Sequence, residues 1–283
     1  MKILVFGKTG QVAQELQRRG NVIALGREQA DFTQPETCLA ALKAHAPDAA
    51  INAVADTAAD QAEEEEALAH QINAEAPGAL AQACARRGIP FVHISTDYVF
   101  DGSGSHPWRE SDPTAPQNAY GRSKLAGEHA VAAAGGTHAI LRTAWVFSSH
   151  GSNFVRTMLR LAESRDALSI VDDQIGGPTP AAAIADACLS IATMLRAQPE
   201  RTGIYHFSGA PEVSWKEFAE AIFARTGRKM QIEGIPSAAY PTPASRPANS
   251  RLDCTEIERA FSIRRPDWRP ALDEVLAELA AGS

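Results

Sequence analysis

The order of apolar and amphipathic segments in this 283-residue chain predicts an α/β fold: a Rossmann-type doubly wound parallel sheet followed by a smaller C-terminal lobe. Three observations carry the prediction. Short apolar runs alternate with helix-period segments through the first half, and parallel strands need such crossover helices. A glycine turn, Gly7-Lys8-Thr9-Gly10, separates the first run from the first helical segment. Past about residue 148 the rhythm changes, which divides the chain into a first domain over 1–147 and a lobe over 148–283, some segments of which return to the sheet.

Each element follows from its own residues. Lys2 to Phe6 (KILVF) is a short buried strand, and Gln11 to Arg19 is a helix with Val12, Leu16 and Arg19 at helical spacing. Val22 to Leu25 is a second strand, Cys38 to His45 a helix, and Ala49 to Val54 a third strand. Asp60 to Arg87 is Ala- and Glu-rich and helical with breaks. Within it Glu63–Glu66 reads as a solvated helix face. Phe91 to Ser95 is the fourth strand, Ala119 to Ala134 a helix, and Ala139 to Arg142 leads into a fifth strand. In the second part, Asn153 to Glu163 is amphipathic, with Phe154, Met158, Leu159 and Ala162 on one stripe. A strand at Ser169–Val171, a helix at Ala182–Leu195, a strand at Ile204–Phe207 and a helix at Trp215–Ala224 follow. A Pro-rich stretch, Pro236 to Pro247, precedes a C-terminal helix at Leu272–Leu279.

The totals set limits on function. A net charge of −7 makes nucleic acid unsuitable as the main partner, because a phosphate backbone needs a basic surface. A small anion needs only a local positive pocket. The four cysteines (Cys38, Cys84, Cys188, Cys254) have no metal-binding or redox spacing, and read as reduced thiols. The start, MKILVFG, lacks the apolar core and cleavage site of a signal peptide, and no apolar run is long enough to span a bilayer. The expected location is cytoplasmic, with no membrane partner.

Gly7 to Ala13 sits where a strand meets a helix, the place where backbone N–H groups can hold a pyrophosphate. The spacing is GxxG followed by Ala13 rather than GxGxxG, so the turn alone is a moderate signal for a dinucleotide. At the end of the second strand, Leu25-Gly26-Arg27 lacks the acid that favours NAD and supplies an Arg that suits a 2′-phosphate. This leans toward NADPH and leaves NADH open. Asp31-Phe32 could bracket the adenine or simply begin a turn, and Asn52 to Ala55 offers small residues against which a cofactor can lie.

The stretch from His93 to Lys124 holds the chemistry. Tyr120 and Lys124 are one helical turn apart and share a face. A phenol of ordinary pKa near 10 is a poor proton donor at neutrality. An ammonium about 4 Å away, at an effective dielectric of about 20, interacts by roughly 4 kcal/mol and would bring the phenol toward neutral pH. YxxxK alone is ordinarily a helix surface. What strengthens it is the strand end Ser95-Thr96-Asp97-Tyr98, where a hydroxyl can bond a substrate carbonyl.

Glycine turn, strand-end hydroxyl and YxxxK together resemble the extended short-chain dehydrogenase/reductases. The blocks FGKTGQV (6–12), STDYVF (95–100), YGRSKLAGE (120–128), RTAWVF (142–147), NFVRTMLRLA (153–162), DQIGGPT (173–179) and YPTPASRPANSRL (240–252) resemble, in order, the dTDP-4-dehydrorhamnose reductase family. That resemblance implies NADPH-dependent reduction of the 4-keto group of dTDP-6-deoxy-L-lyxo-4-hexulose to dTDP-L-rhamnose, the last step of its pathway. It implies Thr96, Tyr120 and Lys124 as catalytic residues. Gly7, Thr9, Gly10, Gln11 and Val12 would hold the pyrophosphate, with Arg27, Asp31 and Phe32 at the adenosine end and Ala53, Ala55 and Thr57 lining the cofactor. Tyr120 and Lys124 would also touch the nicotinamide ribose. Thr96, Asp97, Tyr98 and Trp145 would meet the sugar nucleotide, and Arg246 is placed toward its diphosphate by charge and position. Gly26 and Asp56 depart from residues seen in some members. Some members dimerise through a magnesium ion held by glutamates; Glu15 is retained, but Ala182 stands where such a member has Glu. One carboxylate rarely holds Mg²⁺ unaided, so no metal is expected and a monomer rather than a metal-bridged dimer. An epimerase of the same superfamily and a non-catalytic, cofactor-binding regulatory subunit are the competing readings. The intact Thr96/Tyr120/Lys124 set argues against the second.

Overall fold

The computed structural model describes residues 1–281. The first half runs β1 (Ile3–Phe6), α1 (Gln11–Arg19), β2 (Val22–Leu25), α2 (Pro35–His45) and β3 (Ala49–Asn52). The broken helical stretch is α3 (Ala59–Ala62), α4 (Glu66–His70), a π-helical turn at Gln71–Glu75 and α5 (Ala76–Ala85). Next come β4 (Phe91–Thr96), a 3₁₀ turn at Asp97–Val99, α6 (Ala119–Ala133) and β5 (His138–Thr143). The second half contributes β6 (Val146–Phe147), α7 (Phe154–Leu161), β7 (Ala167–Val171), β8 (Ile175–Gly176), β9 (Thr179–Pro180), α8 (Ala181–Ala197) and β10 (Gly203–His206). It closes with β11 (Val213–Ser214), α9 (Trp215–Thr226), β12 (Gln231–Ile235), β13 (Asn249–Ser250), α10 (Thr255–Phe261) and α11 (Trp268–Ala281).

Six strands form a parallel sheet in the order β2-β1-β3-β4-β5-β10. The chain leaves β1 toward β2 and then returns to β3 on the other side. The crevice of this switch therefore lies beyond the C-terminal ends of β1 and β3, where ligands bind in such sheets. Alternate strand residues feed opposite faces. Val5, Ile51 and Leu141 pack with Leu16 of α1 and Ile184, Cys188 and Ile191 of α8. Leu4, Phe6, Ala50 and Ile140 pack with Leu42 of α2 and Leu80 of α5. Burial on both faces is why these strands read as continuous apolar runs rather than alternating ones. A third core joins Phe147, Val155, Met158, Ile170, Phe218, Ile222 and Trp268 beneath α7, β7, α9 and α11.

Several details differ from expectation. Arg19 is not on the buried stripe of α1; it is exposed and paired with Glu15 and Asp186. In α7 the buried residues are Val155 and Met158, with Phe154 and Leu159 at the margin. Sequence periodicity missed β12 and α10. β12 is a five-residue strand with one glycine and no buried residue, held by parallel pairing to β7. α10 is seven residues long and buries only Ile257 and Phe261. The segment 101–118 is pinned to the chain near 250: Trp108 N donates to Arg251 O, Asp253 N to Trp108 O and Trp108 Nε1 to Asn249 O, and the indole stacks on Phe100.

Candidate active site

Gly10 is the N-cap of α1 and has no side chain with which to cap it. The N–H groups of Gln11, Val12 and Ala13 precede the first intrahelical bond, which Gln14 makes to Gly10. Gly7 sits at φ +110, and a Cβ there would lie 3.2 Å from Ala53 O, so glycine lets β1 turn against the end of β3. No acid stands in the first turn of α1. Open N–H groups, the helix dipole and the missing carboxylate fit a pyrophosphate. Thr9 is exposed beside them, whereas Val12 turns its side chain into the core. Gln11 uses its amide oxygen to accept from Ser148 Oγ and Asn153 Nδ2, tying the turn to the second lobe.

At the end of β2, Arg27 is 78% exposed and reaches Asp31 at 3.2 Å. Hydrogen bonds from Thr33, then Arg27, hold the Asp31 carboxyl below the usual carboxylate range. Phe32, read as either bracketing the adenine or beginning a turn, has its ring buried and edge-on to Phe6 in the core. Ala53 and Ala55 are partly open on the far side of the crevice, and Thr57 is exposed. Asp56 has its backbone held on both sides by the Asn73 amide.

The end of β4 and the start of α6 bring Thr96, Asp97, Tyr98 and Tyr120 together. Thr96 Oγ1 accepts from Tyr98 N at 3.3 Å and donates to Asp97 Oδ1 at 3.2 Å. The Tyr98 and Tyr120 rings meet edge to face at 5.4 Å. Asn118 caps α6 by accepting from Gly121 N, which sets where Tyr120 emerges. Lys124, one turn on, is buried with Nζ donating to Ile94 O at 2.7 Å. Burial lowers its pKa to about 8, opposed by the charge of Glu128. Tyr120 behaves differently from the sequence argument. Burial pushes its phenol upward, contact with Thr96 opposes this, and Asp97 and Asp56 raise it further. Desolvation outweighs any pull from Lys124, whose ammonium faces a carbonyl instead.

Asp97 is buried with Oδ2 lacking a hydrogen bond. Burial raises its pKa to about 6, while the nearby Ser250 and Thr96 hydroxyls hold it partly down. Trp145 takes φ +50, a strained conformation for a bulky residue, and stacks on Trp215 at 3.5 Å and 9°. Arg246 is at the same cleft but is occupied: Nη2 donates to Asp60 Oδ2 at 2.7 Å, and Ala244 N donates to Asp60 Oδ1. Although burial opposes it, those bonds leave the Asp60 carboxyl below its ordinary pKa. The 236–247 strap is further tied by Asn118 Nδ2 to Ser245 O. Sequence reasoning assigned no site role to Asp60, Trp215, Glu128 or Arg142. The last two lay inside quoted blocks, and an arginine directly after the apolar run Ala139–Leu141 was the available signal.

The model of the family described as RmlD substrate binding domain matches residues 1–281. A dTDP-4-dehydrorhamnose reductase of Burkholderia thailandensis is 47% identical, over 99% of each chain. The fold superposes on a Clostridium acetobutylicum dTDP-4-dehydrorhamnose reductase with TM-score 0.92 at 35% identity, covering 99% of this chain and 100% of that one. It superposes on the Bacillus anthracis enzyme, solved with NADP, with TM-score 0.90 at 31% identity, covering 98% and 99%. Glycine turn, strand-end hydroxyl and Tyr–Lys helix thus occur in a chain that belongs to the dTDP-4-dehydrorhamnose reductase family.

Proposed function

We propose that this enzyme reduces the 4-keto group of dTDP-4-dehydrorhamnose to give dTDP-L-rhamnose, the final step of dTDP-rhamnose biosynthesis, with NADPH as its cofactor. The observation that carries the mechanism is the convergence of Thr96 and Tyr120 on Tyr98, through its N–H and its ring, at the sheet edge that also bears the Gly7–Gly10 turn. When bound, the nicotinamide supplies a hydride to the carbonyl carbon. Thr96 Oγ1 holds the carbonyl oxygen, and the Tyr120 phenol delivers the proton that turns the oxygen into a hydroxyl. The phenol is protonated at neutral pH in the fold, and its proton moves only as the carbonyl oxygen gains negative charge. Lys124 binds the ribose hydroxyls. The N–H groups of 11–13 take the pyrophosphate, Arg27 the 2′-phosphate, and Ala53 and Ala55 line the crevice. Asp97 and Tyr98 meet the sugar, Trp145 its apolar face, and Arg246 the diphosphate once Asp60 lets it go.

We further propose a cytoplasmic monomer without a bridging metal. Glu15, buried in α1, accepts from Arg18, Arg19 and His150, and the same two guanidinium groups also pair with Glu278 and Asp186. No described helix is long and apolar enough to cross a membrane.

The test is turnover of the dTDP-4-keto hexulose with NADPH and with NADH, the product identified by NMR. One NADPH consumed per product supports the reductase; product without net oxidation would establish an epimerase instead. Tyr120→Phe should bind NADPH normally and lose about 10²–10⁴ in kcat. Unchanged turnover would remove Tyr120 from the mechanism.

A further inference from the structure

A charged cluster lies wholly inside the protein, behind the catalytic residues. Glu128 and Arg142 are 1% and 2% exposed. Arg142 Nε donates to Glu128 Oε1 at 2.9 Å, and Nη2 donates to Oε2 at 2.6 Å. Ser95 Oγ donates to Glu128 Oε1 at 2.5 Å. On the other side Arg142 lies over the Phe100 ring, and its Nη1 is 3.4 Å from His206 Nε2. His206 Nδ1 faces Trp108 O at 3.0 Å, so Nδ1 carries the proton and Nε2 is the acceptor toward Arg142. His206 N donates to Glu110 Oε1. The cluster thus joins α6, β4, β5, β10 and the pinned 101–118 segment.

A buried ion pair is a weak device for stability, because desolvation offsets most of the attraction. It is a strong device for direction, since a guanidinium fork meets a carboxylate in one geometry. The geometry has a consequence for catalysis. Tyr120, Lys124 and Glu128 are spaced four residues apart, so they share one face of α6. Along β4, Ile94 O takes Lys124 and Ser95 takes Glu128, while the next residue, Thr96, accepts from Tyr98 N, and the Tyr98 ring meets Tyr120 edge to face. The first two links anchor the helix to the strand. The third lies at the reactive end.

We propose that Glu128, clamped by Arg142 and Ser95, is a positioning residue that fixes the height of α6 against β4 and so sets Tyr120 against Thr96. The proposal rests on the reductase reading for its kinetic readout. Three variants test it: Ser95→Ala, Glu128→Asp, and the charge-neutral pair Glu128→Gln/Arg142→Met. Thermal melting reports folding, fluorescence titration the NADPH Kd, and steady-state assays kcat and KM. The neutral pair should fold and bind NADPH within about threefold of wild type, with KM changed by less and kcat down about tenfold or more. Ser95→Ala should lose about three- to tenfold in kcat, and Glu128→Asp should fall between wild type and the neutral pair. A purely structural role would lower the melting temperature and leave kcat of the folded enzyme alone. Wild-type kcat in folded Ser95→Ala, or in the folded neutral pair, overturns the proposal. If the neutral pair fails to fold, Ser95→Ala decides. If the wild type does not turn over the keto sugar, the reductase reading falls separately. Crystal structures of wild type and Ser95→Ala then decide: a Tyr120–Thr96 displacement of about 0.5 Å or more supports positioning, and an unmoved pair refutes it.

Discussion

Asp97 shows what a single residue contributes. Its carboxyl is neutral-favouring in the fold, with a pKa near 6 against an ordinary 3.8. Stability from the neutral form is therefore full below about pH 3.8 and is lost as pH rises through about 6. Each pKa step is worth about 1.4 kcal/mol, so ionisation costs the empty enzyme up to about 3 kcal/mol. Asp97→Asn should raise the melting temperature at pH 8, leave it unchanged at pH 4, and weaken sugar-nucleotide binding. Calorimetry at the two pH values checks the sign; equal effects at both would place the strain elsewhere. At this scale the sequence was legible where side-chain type and chain position coincide. Thr96 and Tyr120 carry a chemistry that names itself once a strand end and a helix start are recognised. The ionisation of Tyr120 was not legible, because it depends on desolvation and on which way Lys124 points. Nor was the occupation of Arg246 by Asp60, residues 186 positions apart.

Among the elements, α6 is placed by contact as much as by capping. A Cβ on Gly127 would lie 2.0 Å from Asn73 O in the π-helical turn. Asn73 in turn donates to Ser123 Oγ and holds Asp56 at the crevice. Gly127→Ala should therefore destabilise the protein, although alanine favours an isolated helix by about 1 kcal/mol. Urea denaturation measures this; a gain in stability would mean that the helix moves freely. The long elements α1, α6 and α8 were readable from the sequence as helices. The π turn was not, since one extra residue in a helix leaves composition and approximate period unchanged. The two-residue strands β6, β8, β9, β11 and β13 exist through partners distant in sequence, which no local pattern records.

For the whole molecule, the expected sheet-and-lobe organisation included segments of the second half that return to the sheet. The cysteines illustrate burial across both. Cys38, Cys84, Cys188 and Cys254 are free and buried, and burial raises all four thiols, to about 11 for Cys38 and about 12 for Cys84 and Cys188. Ellman's reagent should label none of them rapidly in the native protein and all four after denaturation. Rapid native labelling would show local opening near the labelled site. The closer interleaving is that of α8 and β10, both from the second half of the chain. α8 covers the face bearing Val5, Ile51 and Leu141, and β10 completes the sheet beside β5. A ribosome releases the chain from its N-terminus, so the five strands made first emerge with that face covered only by α1. They wait for residues 181–206 before the rest of their apolar surface is covered. A fragment ending at residue 147 should accordingly aggregate or bind chaperones, while one ending shortly after β10 should expose less apolar surface to an environment-sensitive dye.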